Sequence, residues 1–461
     1  MNWQDALTAM LPEHLLLAGI VVLLAQDIAG RSTRGRLTVA LGAVGAACAA
    51  ALLLGFSGYA AAPFPGQYSV AAIPLLGKAI VLVLALPVLL IARDESGQRA
   101  FPLLLLSSLY GACLLLSADS FLTLFLGLEL LSLPVYPLVL LAFRRPESAE
   151  AALKYLVLGG TATATLLMGV ALLYGAGGSL ALSTFASALG STDPMASVAV
   201  VLVLVAFFLK AAIVPFHAWA PDAYEGAAVP VTAYMATIVK AAVLLTAVRL
   251  FGVAPVTRPL ADLLAILPLV SIVWGNLAAM RQESFRRMIA YSSIAHAGYL
   301  FYALLGAGPG RFQAVAFYVL AYGLMNVLAF ASLPPDTNDA ARDRLDNLKG
   351  LFQRAPFAAL MIGIAMLSLA GIPPFPGFVA KFLIFKNVIA AGYTLYAVAG
   401  LVGSYLGIYF YLRVIQYLFM SAGEGTVVRG APERLALFAS VICLLAALFL
   451  SVFPGWVIDQ F

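Results

Sequence analysis

Residues 201–219, VLVLVAFFLKAAIVPFHAW, place a lysine and a proline inside a run of apolar side chains. A helix that spans a bilayer needs about 20 mostly apolar residues, and this run reaches that length. Proline lacks a backbone donor and interrupts a helix, so Lys210 lies directly before a predicted break at Pro215. The stretch therefore predicts a membrane-spanning helix that is interrupted next to a buried charge.

The composition of the chain excludes a water-facing surface. Of its 461 residues, 63% are hydrophobic and only 10% are charged, whereas soluble domains carry about 25% charged residues. The net charge of +5 comes mainly from Lys and Arg in short loops between apolar runs, which indicates membrane topology and excludes nucleic-acid binding. We therefore predict an all-α, polytopic integral membrane protein in contact with the lipid bilayer. Its first helix is expected to be retained, because no signal-peptide pattern precedes it.

Apolar runs and their charged or Pro/Gly breaks predict about fourteen transmembrane helices in a single domain, residues 1–461. We number them span 1 to span 14 in chain order. They cover residues 9–29, 37–56, 71–92, 101–117, 119–142, 152–175, 197–219, 229–251, 259–280, 286–306, 312–333, 356–386, 393–420 and 434–456.

Positive charges in the loops alternate across these spans. The connections after odd-numbered spans hold Arg31, Arg34, Arg36, Arg93, Arg99, Arg144, Arg145, Arg281, Arg286, Arg287, Arg342, Arg344, Lys349, Arg354, Arg429 and Arg434. By the positive-inside rule, both termini are predicted to face away from the cytoplasm. The connection after span 7 is an exception, because it carries Asp222 and Glu225 without a Lys or Arg.

Spans 7 and 12 contain helix-breaking residues in similar motifs. IVPFHAW at residues 213–219 matches IPPFPGF at 372–378, with breaks at Pro215 and at Pro373 and Pro374. Five helices separate the two motifs, and an odd offset inverts the second copy relative to the membrane. The single domain is therefore predicted to have four parts. Residues 9–117 hold helices 1–3 and the start of the first repeat, and residues 101–251 hold the first repeat, helices 4–8. Residues 259–420 hold the second repeat, helices 9–13, and residues 434–456 hold helix 14.

At least five ionisable side chains lie well inside predicted spans. Four of them are central, namely Glu129, Lys210, Lys240 and Lys381, and Lys154 lies near the start of span 6. An ionised group at the bilayer centre costs about 2.5–3.5 kcal/mol, so each one needs an explanation. Ion pairs between helices are one explanation, but one central acid cannot neutralise three lysines. A buried lysine whose charge depends on a neighbour can take up and release a proton. We therefore interpret the four side chains as a path for proton translocation.

Other polar residues leave alternatives open. His217 and His296 extend the proton path or are hydrogen-bonded structural histidines. Lys154, near the start of span 6, reaches the membrane interface or leans toward Glu129. Charges near predicted helix ends are interpreted as interfacial anchors: Asp27, Lys78, Lys386 and Arg413. We predict no metal site and no cofactor-binding site in this chain, because no spacing typical of metal, haem or phosphate ligands occurs.

Several motifs resemble one family of membrane proteins. These are KAAIVPFHAWAPDAYEGAAVPVTAY (210–234), GLELLSLPVYPL (127–138), YSSIAHAGY (291–299) and AGIPPFPGFVAKF (370–382). They resemble the proton-conducting antiporter-like subunits of respiratory complex I, membrane-bound hydrogenases and multisubunit cation/proton antiporters. The resemblance implies fourteen helices, inverted five-helix repeats and discontinuous helices 7 and 12. The residues that match the family's ionisable positions in helices 5, 7, 8 and 12 are Glu129, Lys210, Lys240 and Lys381; Lys154 matches a less uniform lysine of helix 6.

Within that family, the resemblance favours a subunit of the proton-pumping NADH:quinone oxidoreductase of the bacterial inner membrane. The chain ends soon after span 14, has Lys381 where the middle-sized antiporter-like subunit usually has glutamate, and has Asn326 where the two larger subunits have His and Lys in span 11. The resemblance implies other membrane-arm subunits as partners. In an inner membrane, termini that face away from the cytoplasm by the positive-inside rule are periplasmic. NADH, FMN, iron–sulfur clusters and quinone are expected to bind partner subunits.

Three alternatives stay open from the sequence. The first is a subunit of a multisubunit Na⁺/H⁺ antiporter or of a membrane-bound hydrogenase. The second is a non-conducting scaffold, in which every buried lysine pairs with a carboxylate. The third is a carrier of an organic anion, which requires a large cavity at the broken helices.

Overall fold

The computed structural model describes residues 3–30, 35–92, 100–142, 146–254, 257–306, 308, 310–334, 343–421 and 434–461. Within these residues, twelve helices are long and apolar enough to cross a membrane, and two shorter apolar helices complete the set of fourteen spans. The predicted multi-pass helical fold is therefore confirmed. Of the loop arginines used for the topology, eight lie outside the described residues: Arg31, Arg34, Arg93, Arg99, Arg144, Arg145, Arg342 and Arg429.

The spans keep the predicted order. They are Leu11–Ile28, Arg36–Phe56, Ala72–Ile91, Ala100–Leu116, Phe121–Leu140, Pro146–Gly177, Pro194–Ala211, Val229–Phe251, Arg258–Met280, Phe285–Leu305, Gly310–Ala331, Pro356–Ala370, Thr394–Phe419 and Arg434–Val452. Short helices lie before, between or after them at Trp3–Ala9, Ser183–Leu189, Leu345–Leu348, Leu351–Arg354 and Pro454–Ile458. Span 6 begins six residues earlier than predicted, because Pro146 and Glu147 are favourable in the polar first turn of a helix.

Spans 7 and 12 are discontinuous, as predicted. Span 7 stops at Ala211 and resumes as Trp219–Gly226, whereas span 12 stops at Ala370 and resumes as Pro376–Ala390. The residues that end the first halves, Ala212 and Gly371, have left-handed φ angles of 63° and 86°. A left-handed residue turns the chain out of a helix. Pro215, Pro373 and Pro374 lie in the non-helical gaps that follow.

Equivalent residues of the two five-span repeats lie 164 residues apart in the chain at several positions, and we call this offset the register of 164 residues. Span 5 consists of two helices, Phe121–Ser132 and Val135–Leu140. Ser120 caps the first of them and Ser284 caps span 10, each accepting a backbone N–H with its side chain. Arg249 donates to the carbonyls of residues 116 and 118, and Arg413 donates to those of residues 280 and 282. These matched contacts join equivalent helices of the two repeats. Because five spans separate the copies, the second copy runs through the membrane in the opposite direction.

A two-stranded antiparallel hairpin is the feature that the all-helical prediction missed. Its strands are Ala61–Phe64 and Tyr68–Val70, between spans 2 and 3. Pro65 and Gly66 form the connection, and Gly66 has a positive φ of 70° that glycine adopts without strain. The hairpin is anchored on the connection before span 5 through the Gln67 side chain, which accepts hydrogen bonds from Ser120 at 2.7 Å and Thr123 at 3.3 Å.

Spans 8, 10 and 11 form the centre of the protein. Nearly all their residues are buried, whereas only about a third of the residues of spans 1, 2 and 14 are buried. Central helices pack on protein from every side, so their polar side chains must find partners inside the protein. Lys240 and His296 lie on these central helices, in spans 8 and 10.

Candidate proton path

Spans 5 and 7 bring Glu129 and Lys210 together. Lys210 lies in the last turn of the first half of span 7, where the carbonyl end of a helix favours a cation. Its Nζ atom is 3.4 Å from Glu129 Oε1 and 3.2 Å from Ser132 Oγ. The Lys210 side chain is 7% exposed and that of Glu129 is 20% exposed. The pair therefore forms at the edge of the buried interior, with the carboxylate on the more open side.

Thr163 is a partner of Glu129 that the sequence analysis missed. Its hydroxyl contacts Glu129 Oε1 and is also 3.1 Å from the carbonyl oxygen of Gly159. The residue belongs to the TATAT stretch 161–165 of span 6, in which three threonines alternate with alanines. Thr161 is exposed and Thr165 is partly exposed, and both donate to backbone carbonyls of their own helix. Thr163 differs from these two threonines only in the direction of its side chain, which points from span 6 toward Glu129.

Lys240 has a neutral oxygen as its partner. Its Nζ donates to the backbone carbonyl of Ser293 at 2.6 Å, and the side chain is buried. A π-helical turn, Met235–Val239, directly precedes it in span 8; such turns often occur at functional sites. Within the described residues, no carboxylate lies at ion-pair distance from Lys240.

Lys381 is also held by neutral groups. Its Nζ donates to the carbonyl of Ala370 at 2.9 Å and to Ser404 Oγ at 3.0 Å, and it lies 5.1 Å from the centre of the Tyr299 ring. The carbonyl of Ala370 is free to accept because span 12 is interrupted there. In the described part of the chain, no acid pairs with Lys381.

Span 10 connects the surroundings of these two lysines. Its residue Ser293 accepts from Lys240, and its residue Tyr299 faces Lys381. Between them, both ring nitrogens of His296 are hydrogen-bonded, to Tyr318 at 2.8 Å and to Tyr411 at 3.0 Å. A cavity of about 10 Å³ beside this histidine has room for a single water molecule. The helix therefore presents a nearly continuous row of polar groups from Lys240 to Lys381.

A larger cavity of about 470 Å³ opens beside Lys381. Lys386 and Ser404 contribute polar groups to its wall, and Phe378, Phe382 and Tyr405 contribute exposed aromatic rings. It is the place in spans 12 and 13 where Lys381 approaches the surface of this subunit. Lys386, which the sequence analysis interpreted as an interfacial anchor, is exposed and lines this cavity.

Two predicted relay residues lie away from this row. His217 is partly buried beside Pro215, and its Nε2 atom accepts a hydrogen bond from the exposed Trp274 at 3.0 Å. Lys154 is exposed and forms ion pairs with Glu150 at 2.7 Å and Asp222 at 2.6 Å. Of its two predicted alternatives, the structure therefore shows the one in which it reaches the surface.

The acidic connection after span 7 is balanced by charges from other spans. Asp222 and Glu225 contact Arg287, at 2.7 Å and 2.9 Å, and Asp222 also contacts Lys154. This explains why the connection carries acids without a basic residue of its own. Near the start of span 10, Arg286 pairs with Asp343 at 3.1 Å; burial raises the pKa of Asp343, while its bonds with Arg286 and Ser284 act against that rise.

The interpretation of Lys78 as an interfacial anchor is wrong. Lys78 is completely buried and forms an ion pair with Glu13 at 2.7 Å, and its ammonium group donates to the Tyr68 hydroxyl at 2.8 Å. Tyr68 belongs to the hairpin, which covers the ends of spans 1 and 3 and removes both charges from solvent. A position near a helix end indicates access to the interface only when nothing folds over that end.

No cluster of three or more His, Cys, Asp or Glu side chains that could hold a metal ion occurs among the described residues. The three cysteines are buried and do not form disulfides with one another.

Comparisons with known proteins agree with the geometry. A family model described as NADH:quinone oxidoreductase/Mrp antiporter, transmembrane, matches residues 118–407. The NADH-quinone oxidoreductase subunit N of Pelobacter propionicus is 38% identical over 420 residues, which cover 91% of this chain and 90% of that protein. A chain of respiratory complex I from Thermus thermophilus with bound aureothin has a TM-score of 0.84 and 37% identity, and the match covers 97% of this chain and 98% of that chain.

A chain of the Mrp complex from Dietzia sp. has a TM-score of 0.85 at 22% identity, covering all of this chain and 96% of that one. At that identity, the likeness shows the fold alone. The family model and the more similar relatives confirm the resemblance found in the motifs, and the chain belongs to the NADH:quinone oxidoreductase/Mrp antiporter family of membrane proteins.

Proposed function

We propose that this chain is subunit N of a bacterial NADH-quinone oxidoreductase and that it moves protons across the inner membrane. The name comes from relatives such as the Pelobacter propionicus protein, which matches over nine tenths of both chains. Its neighbours in the membrane are other membrane-arm subunits. NADH, FMN, iron–sulfur clusters and quinone bind to partner subunits of the complex and not to this chain. Both termini face the periplasm, in agreement with the positive charges after odd-numbered spans.

The observation that carries the proposal is the contrast among three buried lysines. Lys210 has a carboxylate partner, whereas Lys240 and Lys381 are held by carbonyl and hydroxyl oxygens. A non-conducting scaffold held by ion pairs requires a carboxylate beside each lysine, and these two have none among the described residues. A carbonyl or hydroxyl oxygen accepts a hydrogen bond from a charged or a neutral amine, so either form of the lysine is satisfied.

The Glu129 and Lys210 pair is the element that responds to the partner subunits. Two unit charges about 4 Å apart attract by about 4 kcal/mol at an effective dielectric near 20. Separation of the pair removes that attraction, and the Lys210 ammonium then gives up its proton more readily. Drawing the pair together restores the charge on Lys210. The redox reaction in the partner subunits supplies the energy for this movement.

The released proton continues toward Lys240 and then along span 10. Lys240, Ser293, His296 and the tyrosines around His296 provide the polar groups of this part of the path. Lys381 receives the proton and exchanges it with the outer side through the cavity of about 470 Å³ beside it. Lys154 and His217 lie apart from this row and serve at most as peripheral relays.

The test replaces Lys240 in the assembled complex. Lys240→Ala is expected to reduce the protons pumped per NADH oxidised while the complex still assembles, because the middle of the path loses its proton acceptor. Lys349→Ala is the matched control, since Lys349 is partly exposed outside the spans and pairs with Asp346 at 2.6 Å. Full pumping by an assembled Lys240→Ala complex would remove Lys240 from the path.

A cation/proton antiporter subunit is the second candidate. The family description names the Mrp antiporter as well, but the Pelobacter propionicus relative, at 38% identity, carries the oxidoreductase name. Pumping that depends on NADH oxidation and continues without sodium supports the oxidoreductase subunit, and a requirement for sodium supports the antiporter.

A further inference from the structure

The Thr163 hydroxyl has two acceptors within reach. One is Glu129 Oε1, and the other is the carbonyl oxygen of Gly159 at 3.1 Å, one helical turn earlier. A hydroxyl carries a single proton and can donate it to only one acceptor at a time. The Glu129 oxygen that it contacts is also the one that Lys210 approaches at 3.4 Å. Thr163 and Lys210 therefore act on the same carboxylate oxygen.

We propose that Thr163 is a positioning residue that keeps Glu129 hydrogen-bonded in both of its charge states. When Glu129 is ionised, Thr163 donates to the carboxylate, which is a strong charge-assisted hydrogen bond. When Glu129 is protonated, its carboxylic O–H donates to Thr163 Oγ1, and the threonine hydroxyl turns to the Gly159 carbonyl. The change needs only a rotation of the hydroxyl. The inference rests on the proposed role of Glu129 and Lys210.

The second acceptor belongs to the same helix as Thr163, and tyrosines of spans 5 and 6 pack beside it. The Tyr136 hydroxyl lies so near Gly159 that a Cβ atom at that position would overlap it. The ring of Tyr136 in turn packs edge-on against Tyr155 of span 6, with ring centroids 4.7 Å apart. The Gly159 carbonyl lies one turn before Thr163 in span 6, so the helix itself keeps this oxygen at hydrogen-bond distance from the hydroxyl.

The other groups that face Glu129 define its electrostatic surroundings. They are Lys210 from span 7, Tyr136 from the second helix of span 5 and Tyr155 from span 6. Span 4 also packs on span 5, and its titratable residues Tyr110 and Cys113 interact electrostatically with Glu13. Among these neighbours, Lys210 is the charged donor and Thr163 is the neutral donor in direct contact with Glu129.

The expected effect is a shift in the pH dependence of pumping. Thr163→Val keeps the size and branching of the side chain but removes the hydroxyl. Both forms of Glu129 then lose a hydrogen bond, but the ionised form loses the stronger, charge-assisted one. The acid limb of the pumping profile is therefore expected to move up by about one pH unit. Thr163→Ser keeps the hydroxyl and is expected to keep the wild-type profile.

The experiment measures proton pumping and NADH oxidation against pH in inverted membrane vesicles with the assembled complex. Thr165→Val is the matched control, because Thr165 is partly exposed on the same helix and donates only to the Thr161 carbonyl at 2.8 Å. An unchanged profile for Thr163→Val would overturn the inference, as would an equal shift in Thr163→Ser or Thr165→Val. Thr163→Ala replaces Thr163→Val if the latter does not assemble.

Glu129→Gln, measured in parallel, separates this inference from the proposed function. If Glu129→Gln reduces pumping but Thr163→Val leaves the profile unchanged, only the role of Thr163 fails. If Glu129→Gln pumps fully, the Glu129 and Lys210 switch itself fails, and the inference fails with it.

Discussion

The two repeats place different side chains at the same position of the same backbone frame. In the first repeat, span 5 carries Glu129, which pairs with Lys210. At the register of 164 residues, the equivalent position in span 10 is Ser293, whose carbonyl accepts from Lys240. The first repeat thus holds its lysine with a charge, whereas the second offers a neutral oxygen. Under the proposed function, this difference separates a site that is switched by moving a carboxylate from a site through which a proton passes.

The largest expected effect comes from giving span 10 the acid of span 5. Ser293→Asp places a carboxylate near Lys240 and stabilises its charged form, by about 4 kcal/mol if the groups come about 4 Å apart at an effective dielectric near 20. We expect the proton to be trapped there and pumping to fall at least about tenfold, measured as protons moved per NADH oxidised. Ser293→Ala keeps the carbonyl contact and should pump nearly normally. Normal pumping by Ser293→Asp would contradict the distinction between the repeats.

A second test compares stability after removal of each lysine. Lys210→Met leaves Glu129 without its cation, whereas Lys240→Met leaves only a backbone carbonyl of Ser293 without a donor. Breaking a fully buried pair costs about 3–5 kcal/mol, and we expect less for Lys210→Met because Glu129 is 20% exposed. Thermal unfolding of the purified complexes should show a clear loss for Lys210→Met and little change for Lys240→Met. Equal losses would mean that the two lysines are held alike.

The arginines that cap equivalent helices should behave alike in both repeats. Arg249 and Arg413 each donate to two carbonyls at the end of the first helix of their repeat. Hydrogen bonds to charged groups contribute about 1.5–3 kcal/mol, so Arg249→Ala and Arg413→Ala should each lower thermal stability by an amount in this range. Arg258→Ala, at an exposed position, is the control. A large loss of thermal stability for only one of the two variants would show that equivalent arginines do not stabilise the two repeats equally.

The smallest effect is expected at the surface of the first repeat. Lys154→Ala removes exposed ion pairs with Glu150 and Asp222. Exposed ion pairs contribute about 0–1 kcal/mol, and Asp222 keeps its contact with Arg287. Stability and pumping should therefore stay near the wild-type level. A strong loss of pumping would bring Lys154 into the proton path despite its distance from the buried row.

The sequence predicted the spans and their breaks because both depend on local properties. Apolar length defines a membrane helix, and Pro215, Pro373 and Pro374 interrupt one wherever they lie. Burial of Lys210, Lys240 and Lys381 also followed from their place inside apolar runs. The register of 164 residues was harder to predict from the sequence, because the residues that show it lie outside the short motif that the two repeats share. These residues are Ser120, Ser284, Arg249 and Arg413.

The contacts that the sequence did not predict depend on which side chains meet across helices. Three threonines of span 6 look alike in the sequence, and only the packing of span 6 on span 5 directs Thr163 toward Glu129. Lys78 looked accessible until the hairpin placed Tyr68 over it. His217 looked like a relay because it neighbours a helix break, yet it faces Trp274 at the surface. These contacts depend on tertiary packing, which cannot be predicted from the composition of the chain or from the spacing of its residues.

The most direct test of the account is proton translocation by Lys210→Ala in inverted membrane vesicles, with assembly of the complex and NADH-driven electron transfer measured on the same membranes. The account predicts an assembled complex that oxidises NADH but moves fewer protons per NADH, because the switch with Glu129 has lost its cation. Unchanged pumping in an assembled Lys210→Ala complex would contradict it and would show that the buried charges of this subunit are structural.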